Sequence, residues 1–371
     1  MKRTAYDMLY LAACAVNKTA PDRERVSGMS LDMLFEMAER HSLTALLALS
    51  LEKSGIDLPQ NWKEEKAKTI RKNILFDSER AKILSFMEEK GIWYMPLKGV
   101  LLKDYYPAFG VRQMGDNDIL FDRTYQKEVY HFMVQNGYES IKFDTYHHDV
   151  YQKPPVLSFE MHMTLFDDDH NEFCSYYEDV KDRLLPVEGK RFAYRFTDED
   201  FYIHVTAHEY KHFVFSGMGL RALVDRYVYL KKKTNLNFSY IEAECGKLGI
   251  SEFEKESREL CLSVLGSEIL PEITEAQTKM LECYLFSATH GTLQKMYTTV
   301  LNEYGEASDH RTKLRYYFSR LFPKIEFYKK YSPIAYRYKI LIPFAWLKRV
   351  ILTFFKRRKE IEKEIEQVQK L

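Results

Sequence analysis

Two aspartates one residue apart, Asp116 and Asp118 in the run M-G-D-N-D-I-L-F-D, have the residue type and spacing of a reactive site. Side chains two apart on a strand project from one face, so both carboxylates point the same way. Hard anionic oxygens held side by side repel unless a cation lies between them. Where phosphates are handled, that cation is usually Mg2+. Downstream, Phe159-Glu160-Met161-His162-Met163 offers a third carboxylate on another strand-like run, with His162 on the same face as Glu160. Upstream, Lys98-Gly99 stands where an apolar strand feeds a helix. Backbone N–H groups at such a junction, with the helix dipole, favour an anion; glycine admits a phosphate closely and Lys98 adds charge. The bland alternative is a tight turn with a surface lysine. Arg112, four residues before Asp116, either forks onto phosphate oxygens or anchors its loop. His162 either orients Glu160, contacts substrate or is structural.

A rival chemistry lies at His208-Glu209-Tyr210-Lys211-His212, a literal H-E-x-x-H. On a helix this spacing puts two imidazoles on one face to bind zinc, with the glutamate activating water. His204 lies one turn earlier on that face. Against a zinc peptidase, Lys211 sets a cation inside the motif, and Glu242 and Glu244 are only positional candidates for a third ligand. The plainer expectation is that these histidines line the cleft of the carboxylates or belong to the core.

The elements that must position these groups follow from hydrophobic periodicity. Helices are predicted over 5–16 and 30–54, the latter from Leu31, Leu34, Phe35 and Ala38 at helical spacing. After Pro59 a long helix is expected over 62–90, with Ile70, Ile74, Leu75, Ala81 and Leu84 as its apolar stripe and Gly91 as its stop. From Ile92 strands and helices alternate. Strands are predicted over 92–97, 117–121, 140–143, 148–153 and 156–165, and helices over 100–106 and 125–136. Asp167-Asp168-Asp169-His170-Asn171 reads as a solvated turn, since adjacent aspartates converge poorly on one ion. Thr197-Asp198-Glu199-Asp200 is a good helix start. Beyond it the chain reads as helical to Tyr304, with breaks at 216–219, 235–237, Pro271 and Gly291. The fold class expected is α+β, a small mixed sheet with helices inside helical surroundings. Its regions are an N-terminal helical part (1–90), an α/β core (91–170), a helical domain (171–305) and a C-terminal tail (306–371).

The charges nearly cancel, 55 basic against 54 acidic residues, so no global field favours nucleic acid as a partner. With 27 Tyr and 24 Phe the chain has ample material for a core. Five dispersed cysteines without C-x-x-C spacing suggest reduced thiols and the cytoplasm. Met1-Lys2-Arg3 before Leu11-Ala12-Ala13-Cys14 is superficially like a lipoprotein signal. Its apolar stretch is short and interrupted by Asp7 and two tyrosines, so an amphipathic first helix is expected. Residues 337–359 hold eight basic side chains and no acidic one, interleaved with Trp346, Phe344 and several aliphatics. The apolar runs are too short to span a bilayer. Two expectations remain for this tail: peripheral contact with an anionic membrane, or a helix packed on the body with a basic outer face. Residues 359–367 read as a solvated charged end.

Leu97-Lys98-Gly99, then R-x-x-x-D-x-D-I-L from Arg112 to Leu120, then Glu160-Met161-His162, form an ordered set. With H-S-L-T-A-L-L from His41 and Leu223-Val224-Asp225, this set resembles the bacterial family of uncharacterised nucleotidyltransferases in the polymerase-β-type superfamily. The resemblance runs from about residue 30 to 300, with its specific motifs between 97 and 162. It implies a polymerase-β-type core in which Asp116, Asp118 and Glu160 hold two Mg2+ ions. These activate a hydroxyl and neutralise charge on an α-phosphate as pyrophosphate leaves. It further implies transfer of an NMP group from an NTP to an acceptor hydroxyl. Asp116 and Asp118 would bridge the metals, and Glu160 would complete the acceptor-side metal and assist deprotonation. Lys98, Gly99, Arg112 and His162 would serve the nucleotide. Val100 replaces the second small residue of the commoner signature, and Asn117 stands where an apolar residue is usual. Asn117 raises the alternative of a nucleotide-binding scaffold without turnover. Asp225 either pairs with Arg221 or Arg226, or contacts the acceptor, whose identity stays open among small molecule, sugar, protein and nucleic acid.

Overall fold

One short run, Asn-Asp-Ile-Leu-Phe, is buried along its whole length and fixes the sheet around it. The computed structural model describes the chain except residues 145–146, 168–170, 290–291, 303, 326, 329–331, 357 and 370–371. The expected turn at Asp168-Asp169-His170 and the break at Gly291 lie outside the described residues. Contacts divide the chain into two units, Met1–Lys211 with Met218–Thr289, and His212–Gly217 with His290–Leu371.

The first unit opens with α1 (Lys2–Asn17), α2 (Arg23–Ser27), α3 (Leu31–Arg40), α4 (Thr44–Lys53) and the 31-residue α5 (Gln60–Lys90). The helix predicted over 30–54 is thus two helices. The break has a cause: Ser42 takes a positive φ of 53°, and Gln113 Oε1 accepts the Thr44 N–H at 2.8 Å, satisfying a donor at the start of α4. Cys14 is buried within α1, which packs against α3, α4 and the later helices of the unit.

Then come β1 (Tyr94–Pro96), the single turn α6 (Gly99–Leu102), β2 (Asn117–Phe121), α7 (Gln126–Gln135), β3 (Glu139–Lys142), β4 (His148–Lys153) and β5 (Leu157–His162). Their spatial order is β1-β2-β5-β4-β3, with only the β2–β5 pair parallel. A mixed sheet of this order needs a crossover between β2 and β5, and α7 with the β3–β4 hairpin provides it. On one face Ile119, Phe121, Phe159 and Met161 pack with Phe76, Ile83 and Met87 of α5 and Val129 and Met133 of α7. Phe76 meets Phe159 edge to face, centroids 5.9 Å apart. The period of two then commits Asp118, Glu160 and His162 to the opposite face.

The unit closes with α8 (Asn171–Tyr176), α9 (Asp198–Phe215), α10 (Arg221–Lys232), α11 (Phe238–Lys247), α12 (Ser251–Gly266) and α13 (Glu275–Phe286). The last turn of α9 belongs to the second unit. The fold is α+β, a small mixed sheet with helices inside helical surroundings, as the sequence predicts.

The second unit carries α14 (Leu293–Asn302), α15 (His310–Leu321), α16 (Pro333–Arg337), α17 (Ile342–Lys356) and α18 (Arg358–Gln369). Leu301, Ala307, Tyr316 and Val368 form a small core there. The charged end is therefore helical and partly packed rather than solvated. Glu364 takes both arms of Arg320 at 3.1 Å. No described helix is long and apolar enough to cross a membrane.

Candidate active site

The parallel register sets Asp118 directly opposite Glu160 and Leu120 opposite His162. Asp116 comes just before β2. His162 Nε2 lies 2.9 Å from Asp118 Oδ1 and 3.6 Å from Glu160 Oε2, and Lys98 Nζ lies 3.3 Å from the same Asp118 oxygen. One ligand-capable atom from each of Asp118, Glu160 and His162 lies within 4.8 Å of the other two. These four side chains, far apart in the sequence, are brought together.

The charges are unevenly balanced. Burial tends to raise the Asp118 carboxyl, but Lys98 and His162 hold it well below the usual carboxylate range. Asp116 goes the other way: burial pushes it up, and the charges of Asp118 and Glu160 push it further. Glu160 is held down against burial, chiefly by His162. His162 is raised despite burial because both carboxylates face it. Crowded oxygen donors whose mutual repulsion keeps one of them from ionising freely are the donor set of a hard divalent cation. The residues present fit such an ion.

The Lys98-Gly99 corner is bent toward one carboxylate and packed against a guanidinium. Lys98 takes φ 46°, ψ −112°, a strained conformation of order 1–3 kcal/mol for a non-glycine residue. That bend aims its side chain at Asp118. The helix beyond is one α turn continued by a 3-10 turn, Lys103–Tyr105, so its dipole is small. A Cβ on Gly99 would stand 2.5 Å from Arg112 Nη1 and 3.2 Å from Arg112 Cζ. Glycine is thus needed here for a guanidinium to lie against the backbone.

Arg112 itself is engaged by Asp225. Its Nε and Nη2 donate to the two carboxylate oxygens at 2.7 Å each, and the Tyr106 hydroxyl donates to Oδ1 at 2.7 Å. Of the two expectations for Arg112, loop anchoring describes this geometry. The partner expected for Asp225 was Arg221 or Arg226; the partner found is Arg112. Sequence spacing favours near neighbours on a helix, whereas this pair is closed by the tertiary fold.

The loop from Arg112 to Asp116 is tied on every side. Asn73 donates to the Arg112 carbonyl at 3.1 Å, Arg221 to the Gln113 carbonyl at 3.0 Å, and Lys72 to the Gly115 carbonyl at 3.3 Å. Gly110, at φ 76°, lets the chain pass α5, because a Cβ there would stand 3.0 Å from the Ile70 Cα. His41 Nδ1 accepts the Leu220 N–H at 3.0 Å, just ahead of the helix that carries Arg221 and Asp225. Sequence reasoning missed Lys72, Asn73, Gln113 and the role of His41. Lys72 and Asn73 look like any polar members of a charged helix. Only the unusual polarity of a buried position, Asn73, could have signalled the contact.

Asn117 points away from the carboxylates. Its Oδ1 accepts from Arg80 Nη1 at 2.7 Å, and Arg80 is held by Asp77, which also takes Lys103 at 3.1 Å. The polar residue between the aspartates is therefore bound to a charged group on α5, on the helix face of the sheet.

Glu209 of the H-E-x-x-H run is buried and taken. It accepts from Arg226 Nη2 at 2.6 Å and from the Tyr284 hydroxyl at 2.5 Å. Arg226 also donates to Tyr202 and Thr206. A glutamate committed to an internal ion pair does not present an oxygen to a metal-bound water. His204 is enclosed by Phe166, Tyr177 and Phe196, and burial pushes it down to about 3. Lys211 donates to Asp167 at 3.1 Å.

No curated protein and no solved structure matches the chain at a significant level. A family model described as uncharacterised nucleotidyltransferase does match, over residues 27–266, which takes in every side chain of the carboxylate site and the helices that pin its loop. The chain belongs to this family of uncharacterised nucleotidyltransferases.

Proposed function

We propose that the protein moves a nucleotidyl group from a nucleoside triphosphate to an acceptor hydroxyl and releases pyrophosphate. The observation that carries this reading is Asp118 facing Glu160 across parallel strands, with Asp116 just before β2, in a chain of a nucleotidyltransferase family. Mg2+ at such carboxylates supplies charge neutralisation at the α-phosphate and acidifies the acceptor hydroxyl. The protein's own part is positioning. Asp118, kept anionic by Lys98 and His162, is a permanent oxygen donor. Asp116 is the ligand whose ionisation becomes favourable when a cation relieves its repulsion. His162 braces both Asp118 and Glu160, leaving Glu160 to receive the acceptor proton or hold the acceptor-side ion. Lys98, Lys72 and Arg221 surround these carboxylates with positive charge suited to a triphosphate. Arg112 and Gly99 fix the corner beneath it. The free thiols support a cytoplasmic location.

Calorimetric titration with each nucleoside triphosphate, with and without Mg2+, tests the reading on wild type and on Asp118→Asn. Binding that needs Mg2+ and is lost in the variant is expected, followed by pyrophosphate release once an acceptor is supplied. A folded wild type that binds no triphosphate overturns it. Binding without pyrophosphate release from any acceptor class would instead favour the scaffold alternative.

For the second unit we propose peripheral contact with an anionic membrane. Ile340, Phe344, Leu347 and Ile351 recur at helical spacing and are exposed, Ile340 at 82% and Phe344 at 70%. Lys339, Lys348 and Arg349 accompany them, and Arg349 donates to the carbonyls of Arg320 and Leu321. Exposed apolar side chains with basic neighbours suit an acidic lipid surface. Co-flotation with phosphatidylserine vesicles but not with neutral ones is expected. Equal recovery with both, or with neither, removes this reading.

A further inference from the structure

Beside the carboxylates the fold gathers three imidazoles. His148 opens β4 and is the ladder partner of His162 on β5, and His147 immediately precedes it. Ring centroids are 4.4 Å apart for His147 and His148, 5.0 Å for His148 and His162, and 5.6 Å for His147 and His162. One ligand-capable nitrogen from each lies within 4.8 Å of the other two. His147 Nε2 and His148 Nδ1 are 3.0 Å apart.

The remaining nitrogens mostly face carboxylates. His147 Nδ1 is 3.8 Å from Asp167, His148 Nε2 is 3.7 Å from Glu160, and His162 Nε2 is 2.9 Å from Asp118. A carboxylate behind an imidazole orients a ligating histidine and raises its basicity. The other nitrogen of His162, Nδ1, is buried without a hydrogen-bond partner. Burying such an atom unsatisfied is costly, and an ion would offset that cost.

We propose that His147, His148 and His162 form a nitrogen site for a borderline divalent transition ion of the zinc class, next to the carboxylate site and joined to it through His162. Imidazole selects zinc, cobalt, nickel or iron over magnesium, while Asp116, Asp118 and Glu160 favour the hard ion. Ligands on a tetrahedral zinc at ~2.0–2.1 Å sit a little over ~3 Å apart, so the 3.0 Å spacing of His147 and His148 needs only small ring movements. Three protein ligands leave a fourth position open. Asp118 and Glu160 on one side and Asp167 on the other supply negative charge, Asp167 sharing its own with Lys211. The site does not depend on the neighbouring carboxylates carrying out nucleotidyl transfer.

Cobalt(II) is the probe, since nitrogen ligation in a four-coordinate site gives intense visible ligand-field bands. The full chain, stripped of metal, is titrated with Co2+ in excess Mg2+ and then challenged with Zn2+. Wild type is expected to bind one Co2+ with such bands, bleached by one equivalent of Zn2+. His147→Gln and His148→Gln should each weaken cobalt binding at least ~10-fold, the lower end of what loss of even an outer partner of a zinc ligand does. Asp116→Asn should leave the bands in place. Circular dichroism on each variant confirms that it is folded, and the two histidine variants stand in for one another if one misfolds. Bands that vanish in excess Mg2+, or affinity unchanged in both histidine variants, overturn the proposal. Mg2+-dependent triphosphate binding by wild type reports separately on nucleotidyl transfer: its absence with the cobalt bands intact would condemn that function and leave the nitrogen site standing.

Discussion

Arg112 and Asp225, 113 residues apart, meet in a two-pronged ion pair with both N···O distances at 2.7 Å. Both side chains are buried, and Tyr106 completes the carboxylate's bonding. Breaking a buried pair by removing one partner leaves an uncompensated charge, at about 3–5 kcal/mol. Asp225→Ala should therefore lower unfolding stability by that order in urea titration. Arg112→Ala/Asp225→Ala together should lose clearly less than the sum of the two single changes. Additive losses would mean that the pair is not coupled.

The same guanidinium makes Gly99 a sharp test of packing. Gly99→Ala sets a methyl 2.5 Å from Arg112 Nη1, so Arg112 must shift or the strained Lys98 corner must open. Overpacking of this kind costs about 1–3 kcal/mol. Triphosphate affinity should fall too, because Lys98 is aimed at Asp118 through that corner. A variant as stable as wild type, with equal affinity, would show that the corner is freely adjustable.

Asp116 carries a cost that the proposed role as a metal ligand would explain. Burial and the neighbouring anions Asp118 and Glu160 penalise its charged form in the metal-free protein. Asp116→Asn should then raise metal-free stability by at least roughly 1 kcal/mol, the scale of one pKa unit, since the carboxyl is pushed from 3.8 up to about 6. Millimolar Mg2+ should stabilise wild type more than the variant, while the variant loses turnover. Thermal melts with and without Mg2+ read both effects, and a metal-free Asp116→Asn that melts below wild type contradicts the account.

The strand positions of this site were legible because strand alternation and D-x-D spacing are local. Asn117–Phe121 and His148–Lys153 have the predicted bounds. Periodicity could not show which strands neighbour each other, and it is the parallel β2–β5 register that turns Asp118 and Glu160 into a pair. The helix over 30–54 was over-extended because His41, Ser42 and Leu43 do not oppose a helix locally. The break answers to Gln113 and Leu220, which are distant in sequence. Arg112 had two readings, and only the arrival of Asp225 from α10 distinguishes them. H-E-x-x-H was visible as letters, but Arg226 and Tyr284 were not visible as its partners.

Glu209 should accordingly behave as a structural residue. Glu209→Gln leaves Arg226 buried without its counter-charge, and a loss of about 3–5 kcal/mol is expected by urea titration. Zinc content should not change between wild type and His208→Gln, since the peptidase reading makes that imidazole, not Glu209, a zinc ligand. Stoichiometric zinc lost with His208→Gln in a folded protein would instead revive the peptidase reading.

His41 gives the fold a pH dependence that can be isolated. Burial, with Arg40 adding to it, pushes its pKa from 6.5 down to about 4, and Nδ1 must stay unprotonated to accept the Leu220 N–H. The unfolded chain binds a proton below about pH 6.5 and the folded chain resists until about pH 4. The stability due to the neutral ring is therefore complete above pH 6.5 and is lost as pH falls toward 4. Between pH 7 and pH 5 this amounts to about 2 kcal/mol. His41→Asn keeps a side-chain acceptor without the titration. Urea unfolding at the two pH values should show a fall in stability smaller by about that amount in His41→Asn than in wild type. His147, His148 and His204 are also pushed down, so the difference between the two proteins, rather than wild type alone, is the quantity that decides. Equal falls in both would mean that His41 is free to protonate in the folded chain, and that the start of the helix bearing Asp225 does not rely on it.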